Sequence, residues 1–293
     1  MVHDKTFGGR LFDGAILVIL LLVAVVTMLP FIHIVAGSFT TLDELAQKRF
    51  VLFPTKFSLD AYTYIFSTNT LFRSMGVSIG VTTFGTLFSM FLSALMAYGL
   101  ARRDLVGRKG IMFMVVFTML FSGGLIPSFI VVKELGLIDS YLSLIIPTAI
   151  NAFNLIILRS FFQNLPDGLE ESAKIDGCND WGILFRIVIP LSMPAIATIS
   201  LFYAVTYWNT YLPAIMYIDS PEKWPIQVLL RQIVILASGL SSDSSGFDSD
   251  FVTPPDQTIK MAVIVVATVP VLIVYPFLQK YFDKGALLGS VKG

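Results

Sequence analysis

Long apolar runs separated by short polar segments dominate the pattern of this sequence. A helix needs about 20 apolar residues to cross the hydrocarbon core of a membrane, and six runs are close to that length or exceed it. They cover approximately residues 14–35, 74–101, 111–132, 141–158, 191–218 and 261–278. The pattern predicts an all-α, polytopic membrane protein with six transmembrane helices, built as a single domain over residues 1–293.

The composition agrees with a protein surrounded by membrane lipid. Of the 293 residues, 55% are hydrophobic and 14% are charged, whereas soluble domains carry about 25% charged residues. The net charge of zero provides no basic surface for nucleic acid. The histidines, His3 and His33, and the single cysteine, Cys178, are too few for a disulfide, a Ser-His-Asp triad or a His- or Cys-based metal site. We therefore expect no catalytic residue and no bound metal.

The distribution of Lys and Arg predicts the orientation in the membrane. Four of the eight residues 102–109 are cationic, which places this connection in the cytoplasm. Alternation of the spans then places both termini and the segment 160–190 inside. The first run follows Lys5 and Arg10 as in a secretory signal, but its apolar stretch exceeds the usual length of about 7–15 residues. We interpret it as an uncleaved span.

The predicted spans lack the groups that a self-powered transporter would use. None carries Asp, Glu, Lys or Arg near its middle, and ion-coupled carriers and voltage-gated channels normally need such charges. A stand-alone carrier or channel and an intramembrane enzyme are therefore weaker alternatives. The sequence also lacks a Gly-x-x-x-x-Gly-Lys-Ser/Thr phosphate loop, so a partner chain would have to bind any ATP that drives this protein.

The second run carries small and hydroxyl residues at helical spacing. Gly76 and Gly80 lie four residues apart, and Gly85, Ser89 and Ser93 follow them. Small residues allow helix backbones to approach closely in lipid. We interpret this stripe as a helix-packing surface, with a ligand groove as the alternative.

The segment 166–190 predicts two short helices across the cytoplasmic face. Pro166 and the acids after it are typical of a first helical turn, and Gly177 is placed for a left-handed helix end. Asn179 or Asp180 can then cap a second helix. Because an acidic helix is not attracted to the anionic inner leaflet, we expect it to face a protein partner. A solvated loop with a chance cluster of acids is the alternative.

This segment resembles the "EAA" loop of type I ABC-importer permeases. The resemblance rests on Glu171-Ser172-Ala173-x-x-Asp176-Gly177, with Phe185, Pro190 and Pro194 after it. In that family the loop is a coupling helix that docks into a cleft on the ATPase subunit. The resemblance therefore implies ATPase-coupling roles for Glu170, Glu171, Ser172, Ala173, Asp176 and Gly177. Ser172 and Cys178 depart mildly from the alanines usual in the family.

Further phrases resemble the carbohydrate-uptake branch of that family. They are residues 121–127, Phe-Ser-Gly-Gly-Leu-Ile-Pro, residues 135–140, Leu-Gly-Leu-Ile-Asp-Ser, and Trp208-Asn209. Within the branch, the chain is similar to permeases for oligosaccharides cut from pectin or alginate. A permease for another solute class remains an alternative.

The resemblance also implies an assembly in the bacterial cytoplasmic (inner) membrane. Its members would be this chain, a second homologous permease subunit, two ATP-binding cassette ATPase subunits and an extracytoplasmic solute-binding protein. This chain would bind no cofactor, because ATP and Mg would be held by the ATPase subunits.

Aromatic and amide residues in the fifth run are candidates for a translocation path. Sugar rings are apolar on their faces and polar at their rims, which suits Tyr203, Tyr207, Trp208 and Asn209. Anchoring of Tyr and Trp at the membrane interface is the alternative. For Asn151 and Asn154 in the fourth run we expect hydrogen bonds between helices.

Two features are predicted in residues 219–260, the last segment that the alternation of spans places outside. Residues 224–237 are apolar with a narrow polar stripe, which predicts a helix lying at the membrane interface or against a partner. Residues 241–250 are polar and acidic without the ligand spacing of an EF-hand loop. We interpret them as a flexible loop that contacts the solute-binding protein, with a calcium site as the alternative.

Overall fold

The computed structural model describes residues 7–48, 50–237 and 256–290. Within these residues the chain is helical, with an isolated β-bridge between Thr40 and Phe57 and no strand. The predicted all-α class is therefore confirmed. The predicted acidic loop 241–250 lies outside the described residues.

The α-helices are numbered here in chain order. They are α1 (Phe7–Ser38), α2 (Leu42–Gln47), α3 (Asp60–Ser67), α4 (Asn69–Ala101), α5 (Arg108–Leu120), α6 (Leu125–Glu134), α7 (Leu142–Ile145), α8 (Ala152–Gln163), α9 (Asp167–Ile175), α10 (Asp180–Ile183), α11 (Ile189–Leu191), α12 (Met193–Trp208), α13 (Leu212–Tyr217), α14 (Ile226–Ala237) and α15 (Gln257–Ser290). Short 3-10 turns occupy Ile146–Thr148 and Pro221–Lys223, and a π-helix at Leu184–Val188 joins α10 to α11.

Three helices in the described ranges are long and apolar enough to cross a membrane unbroken, namely α1, α4 and α15. The other apolar runs form bent pairs. The bend is 118° between α5 and α6, 55° between Leu142–Thr148 and α8, and 86° between Asp180–Leu191 and α12. The described chain therefore has three spans, or six if each bent pair counts as one, and the six-span topology stays a prediction.

Glycine causes the largest of these bends, which divides the predicted span 111–132. Gly124 has φ 85° and ψ 174°, a conformation that a side chain would oppose. Its neighbour Gly123 adds further backbone freedom, and Pro127 suits the first turn of the new helix. The continuous helix predicted here is therefore corrected to two helices of different direction.

Proline accounts for the other two breaks. Pro147 has no N–H, so the carbonyl of Ser143 loses its helical partner, and α8 restarts only at Ala152. Pro194 likewise cannot donate to the carbonyl of Pro190, and the chain turns at Ser192. The predicted fifth span, 191–218, is also interrupted: α12 ends at Trp208, and a separate short helix, α13, begins at Leu212 with Pro213 in its first turn. The continuous spans predicted for 141–158 and 191–218 are therefore corrected to these shorter helices.

The chain divides into two compact units, Met1–Asn69 with Gln232–Val269 and Thr70–Arg231 with Pro270–Gly293. In the first unit, the apolar side chains of α1 are exposed along the helix, which suits contact with lipid. Its loop after α1 is organised by Glu44. This buried carboxylate accepts hydrogen bonds from Lys48 Nζ at 2.8 Å, Thr55 Oγ1 at 2.6 Å and the Lys56 N–H at 2.9 Å. These donors, Lys48 foremost, hold the pKa of Glu44 well below its ordinary value.

The second unit contains the main core, where α4, α8 and α12 contribute buried apolar side chains. Ala97, Leu155, Leu158 and Ile199 are fully buried there. α14 forms the outer helix predicted in residues 224–237. Its Ile226, Val228 and Leu229 are buried within this chain. The prediction of a helix is confirmed, and part of its apolar face packs internally.

Candidate functional site

The first limb of the predicted coupling segment is α9, which begins after Pro166 and ends at Ile175, two residues before Gly177. Gly177 has φ 81°, the left-handed conformation that the sequence predicted. Its N–H donates to the Lys174 carbonyl at 3.0 Å, and the Cys178 N–H donates to the Ala173 carbonyl at 2.9 Å. These two hydrogen bonds form a Schellman motif, which satisfies carbonyls that the helix end would leave without partners. The predicted end of this helix is confirmed.

The second limb starts at Asn179 and extends to Leu191. The Asn179 side chain accepts a hydrogen bond from the Gly182 N–H at 2.8 Å, as an N-cap residue should. α10, the π-helix and α11 follow without interruption. Ile183, Leu184 and Val188 are buried, so this limb is anchored by apolar contacts.

The predicted coupling residues differ in exposure. Ala173 is buried, Glu170 is half-buried, and the remaining members are exposed: Glu171, Ser172, Asp176 and Gly177. α9 is thus anchored on its alanine side and presents its acidic side outward.

An exposed apolar patch lies in the second limb, and the sequence analysis did not identify it. It consists of Trp181 and Phe185, and Ile175, the last residue of α9, is separately 86% exposed. The rings of Trp181 and Phe185 stack with centroids 6.0 Å apart and planes at 4°. Exposed aromatic residues beside polar ones are typical of protein interfaces. The spacing of Trp181 and Phe185, four residues apart on a helix, is the signal that could have revealed the patch.

Arg102 joins both limbs of the coupling segment to the end of α4. Its guanidinium donates a hydrogen bond to Asp180 Oδ1 and lies 3.8 Å from Glu170 Oε2. It also lies 3.7 Å from Asp104 Oδ1 and over the ring of Tyr98, with 5.4 Å from Cζ to the ring centroid. The hydrogen bond from Arg102 lowers the pKa of the exposed Asp180 carboxylate below its ordinary value. In the sequence, Arg102 is marked only as one of the four cations that orient the connection 102–109.

The C-terminal end of α4 is capped by side chains from elsewhere in the same unit. Arg159 Nε donates to the Leu100 carbonyl at 2.9 Å, and Gln163 Nε2 donates to the Ala101 carbonyl at 3.2 Å. Arg108 Nη1 donates to the Arg102 carbonyl at 3.1 Å. These donors satisfy carbonyls that have no partner within the helix, and cations there also complement the helix dipole.

A cavity of about 250 Å³ lies between α9 and the loop after α4. Charged side chains line it from both directions: Arg102, Asp104, Glu170, Glu171 and Lys174. Apolar side chains, among them Phe162, Leu165 and Leu169, complete the lining, so charged and apolar groups meet at this place.

The tyrosines predicted to line a translocation path form a buried ladder with α4. The hydroxyls of Tyr203 and Tyr207 lie 2.7 Å from Ser93 Oγ and Ser89 Oγ, respectively. Each tyrosine is only 2% exposed. In the described conformation neither ring has a free face for a sugar, and the role of these residues in a translocation path stays a prediction.

The same tyrosines satisfy backbone groups at the break before α8. Tyr203 Oη accepts a hydrogen bond from the Asn151 N–H at 3.0 Å, and Tyr207 Oη donates to the Ile145 carbonyl at 3.3 Å. A helix break in lipid exposes such groups, and an unsatisfied one is costly. The ladder therefore holds the break in place against α4.

The close approach of α4 and α12 depends on Gly85. A Cβ atom built at this position would lie 2.9 Å from Cε2 of Tyr207. At Gly76 and Gly80 a Cβ would meet no other atom of the described structure within 4 Å. The predicted packing role of the small-residue stripe is therefore confirmed for Gly85, Ser89 and Ser93 within this chain.

The other polar candidates of these spans contact their own helices. Trp208 is buried, whereas Asn209 is exposed and its Nδ2 donates to the Val205 carbonyl at 2.8 Å. Asn151 Oδ1 accepts from the Asn154 N–H at 3.1 Å, which caps α8. The prediction that the Asn151 side chain bonds between helices is wrong, because the break in the fourth run makes it a helix start.

Asp139 organises a second connection between loops in the same unit. Its N–H donates to the Tyr217 carbonyl at 2.7 Å, and its carboxylate accepts from Ser220 Oγ at 2.8 Å and Lys223 Nζ at 2.6 Å. The hydrogen bonds, led by that from Lys223, lower the pKa of Asp139 to about 2.

The described residues contain no cluster of three His, Cys, Asp or Glu side chains that could hold a metal ion.

Comparison with known proteins adds the family context. Residues 85–287 match the family described as binding-protein-dependent transport system inner membrane component. The chain is 68% identical to the Bacillus subtilis polygalacturonan/rhamnogalacturonan transport system permease protein YtcP, over 97% of this chain and 99% of that protein. It is 54% identical to protein LplC of the same organism, over 99% of this chain and 97% of LplC.

A solved structure is also similar to this one. It is described as the crystal structure of a bacterial ABC transporter involved in the import of the acidic polysaccharide alginate. The TM-score is 0.86 at 34% sequence identity, and the match covers 95% of this chain and 99% of that chain.

Proposed function

We propose that this chain forms half of a pore whose alternating access is driven by ATP hydrolysis in partner subunits. The chain belongs to the family of binding-protein-dependent transport system inner membrane components and is a sugar-type permease subunit of an ABC importer. The other half is a second, homologous permease. Two ATPase subunits bind ATP and Mg on the cytoplasmic side, and a solute-binding protein delivers the sugar from outside. Relatives in this family are pore components rather than enzymes.

One observation carries the coupling role, namely the surface of the segment from α9 to α11. Ala173 is buried, whereas Glu171 and Asp176 are exposed, as are Ile175 and the apolar patch of Trp181 and Phe185. Acids and aromatic side chains together suit a groove on a protein, which supplies both hydrogen-bond donors and apolar contact. We place the ATPase contact on this surface. Movement of the segment then makes α4 and α12 rock between outward-open and inward-open arrangements.

The proposed substrate is an oligosaccharide from an acidic polysaccharide of the pectin or alginate type. The support is similarity: the polygalacturonan/rhamnogalacturonan permease matches over nearly the full length of both chains, and the alginate importer shares the fold. Because the tyrosines of α12 are buried, we expect specificity to depend strongly on the binding protein and on the partner permease.

Reconstitution of the complete importer in lipid vesicles tests the proposal. We expect ATP-dependent uptake of labelled oligogalacturonides, with less uptake of neutral maltooligosaccharides, and no uptake without the binding protein. Vesicles that contain this chain alone serve as the control. Uptake that persists without ATP and depends on an ion gradient would favour a stand-alone carrier, and equal uptake of neutral sugars would overturn the substrate class.

The proposed orientation has its own test. Both termini and the coupling segment are placed in the cytoplasm because of the cations in 102–109. Single cysteines at Arg103 and Asp219, introduced in a Cys178→Ser background, should react with an impermeant reagent from opposite sides of the membrane. Reaction of both from the outside would contradict this orientation.

A further inference from the structure

Arg102 occupies a position that the sequence of the coupling segment does not reveal. It follows the last residue of α4, and its side chain is only 16% exposed. Its guanidinium hydrogen-bonds to Asp180, which lies in the second limb, and pairs with Glu170, which lies in the first. A single side chain thus contacts helices on both sides of the Gly177 turn.

The backbone that carries Arg102 is itself held firmly. The carbonyls of Leu100 and Ala101 accept hydrogen bonds from Arg159 and Gln163 of α8, and the Arg102 carbonyl accepts from Arg108. Since the end of α4 is tied to α8, a force applied to the Arg102 guanidinium acts on these two helices rather than on a loose loop.

α9 and the loop after α4 face each other across the adjoining cavity, and the ion pair of Arg102 with Glu170 bridges the two. Charged residues from α9 and from the loop after α4 line the cavity on both sides. An arginine suits the task because its planar fork can engage more than one carboxylate while it lies over an aromatic ring. Tyr98 supplies that ring.

We propose that Arg102 is a positioning residue for coupling: it transmits displacement of the coupling segment to the inner end of α4. The inference rests on the proposed function of the segment as the ATPase contact. It assigns to Arg102 a role in force transmission and none in binding ATP or sugar. Loss of this residue should leave ATP hydrolysis in place and reduce the sugar moved per ATP.

The test uses the complete importer in vesicles, with uptake and ATP hydrolysis measured on the same sample. In Arg102→Gln we expect the uptake-to-hydrolysis ratio to fall roughly three- to tenfold, the range expected when a partly exposed charged hydrogen bond is removed. Arg102→Lys should be intermediate, because it keeps the charge and loses the fork. A purely structural defect would lower both quantities together and would leave their ratio unchanged.

Lys109→Gln is the matched control. Lys109 is an exposed cation in the first turn of α5, and its side chain makes no ion pair or hydrogen bond within the described parts of the chain. This variant removes one positive charge and should keep the wild-type ratio.

Charge exchange keeps the proposal open to refutation if single variants are poorly produced. Arg102→Asp should uncouple more strongly than Arg102→Gln, because it adds a repulsive charge beside Asp180 and Glu170. Adding Asp180→Arg should recover part of the ratio. A wild-type ratio in Arg102→Gln, or a double variant no better than Arg102→Asp, overturns the role of Arg102. If wild-type importer shows no ATP-dependent uptake, the proposed function itself fails.

Discussion

α4 is connected to later parts of its unit in two chemically different ways. Near its middle, Ser89 and Ser93 meet Tyr207 and Tyr203 in neutral, fully buried hydrogen bonds. At its C-terminal end, Arg102 meets carboxylates that are half or largely exposed to solvent. The first kind of contact is costly to break, because a buried polar group would lose its partner, whereas the second is cheap to break and re-form in water. A membrane helix can thus be held rigidly in the bilayer and adjustably at its surface.

The largest expected effect tests the rigid connection. Gly85→Val places side-chain atoms against the Tyr207 ring, and overpacking of this kind costs about 1–3 kcal/mol. The midpoint of thermal unfolding in detergent should fall, as should the amount of protein in the membrane. Gly80→Val is the control, since that position is open in the described structure. Equal loss in both variants would mean that valine in α4 is harmful in itself and that the ladder is not involved.

The ladder can also be weakened without a steric clash. Tyr203→Phe removes one hydroxyl and leaves Ser93 Oγ and the Asn151 N–H without this partner. We expect a loss of about 1–3 kcal/mol, the usual cost of an unsatisfied buried group. Tyr141→Phe, at an exposed tyrosine, is the control. If the stability is unchanged but sugar uptake falls, Tyr203 acts in the translocation path as the sequence suggested.

In the coupling segment, the turn at Gly177 between the two limbs should be sensitive to backbone strain. Gly177→Val forces a β-branched residue into the left-handed region, at a cost of about 1–2 kcal/mol. Copurified ATPase and sugar uptake should drop while the permease level in the membrane stays near normal. Gly168→Val changes a glycine that lies within α9 and meets no neighbouring atom in the described structure. Normal ATPase attachment in Gly177→Val would refute the coupling assignment.

Salt separates the two kinds of connection directly. Raising the ionic strength from about 0.1 M to 1 M shortens the screening length from about 10 Å to 3 Å. The difference in coupling ratio between wild type and Arg102→Gln should shrink in high salt, because the wild type loses part of its ion pairing. The destabilisation by Tyr203→Phe should not change. A salt-independent Arg102 effect would show that this contact behaves as a buried one.

The smallest effect concerns the loop contact at Asp139. Its pKa is about 2 in the folded chain, below the ordinary 3.8, so the unfolded chain binds its proton first as the pH falls. The stabilisation is therefore complete above about pH 4 and declines as the pH falls through 2. Asp139→Asn should flatten the acid limb of the stability curve within that window. An unchanged acid limb would exclude Asp139 as its source.

Local signals in the sequence predicted the helix ends of the coupling segment correctly. Contacts between residues far apart along the chain could not be predicted from the sequence. Gly177 specified the turn because the left-handed conformation depends on one residue type, and Asn179 specified the next cap for a similar reason. The apolar runs predicted helices in lipid, but hydropathy carries no information on direction, so the bend at Gly124 within the predicted span 111–132 was missed.

The roles of the polar residues could not be predicted because they depend on partners far along the chain. Tyr203 meets Ser93, 110 residues earlier, and Arg102 meets Asp180, 78 residues later. An aromatic residue in a membrane helix has the same pattern whether it binds sugar, anchors at the interface or supports a neighbouring break. Only the folded arrangement distinguishes these possibilities.

The π-helix at Leu184–Val188 has a consequence for how the coupling surface is presented. A π-turn accommodates one residue more than an α-turn, which rotates everything beyond it by about 100° relative to a continuous α-helix. The direction in which Trp181 and Phe185 face, seen from α12, is therefore set by the number of residues in this stretch as well as by their identity. Deletion of one residue there would turn the docking surface while leaving each of its side chains intact.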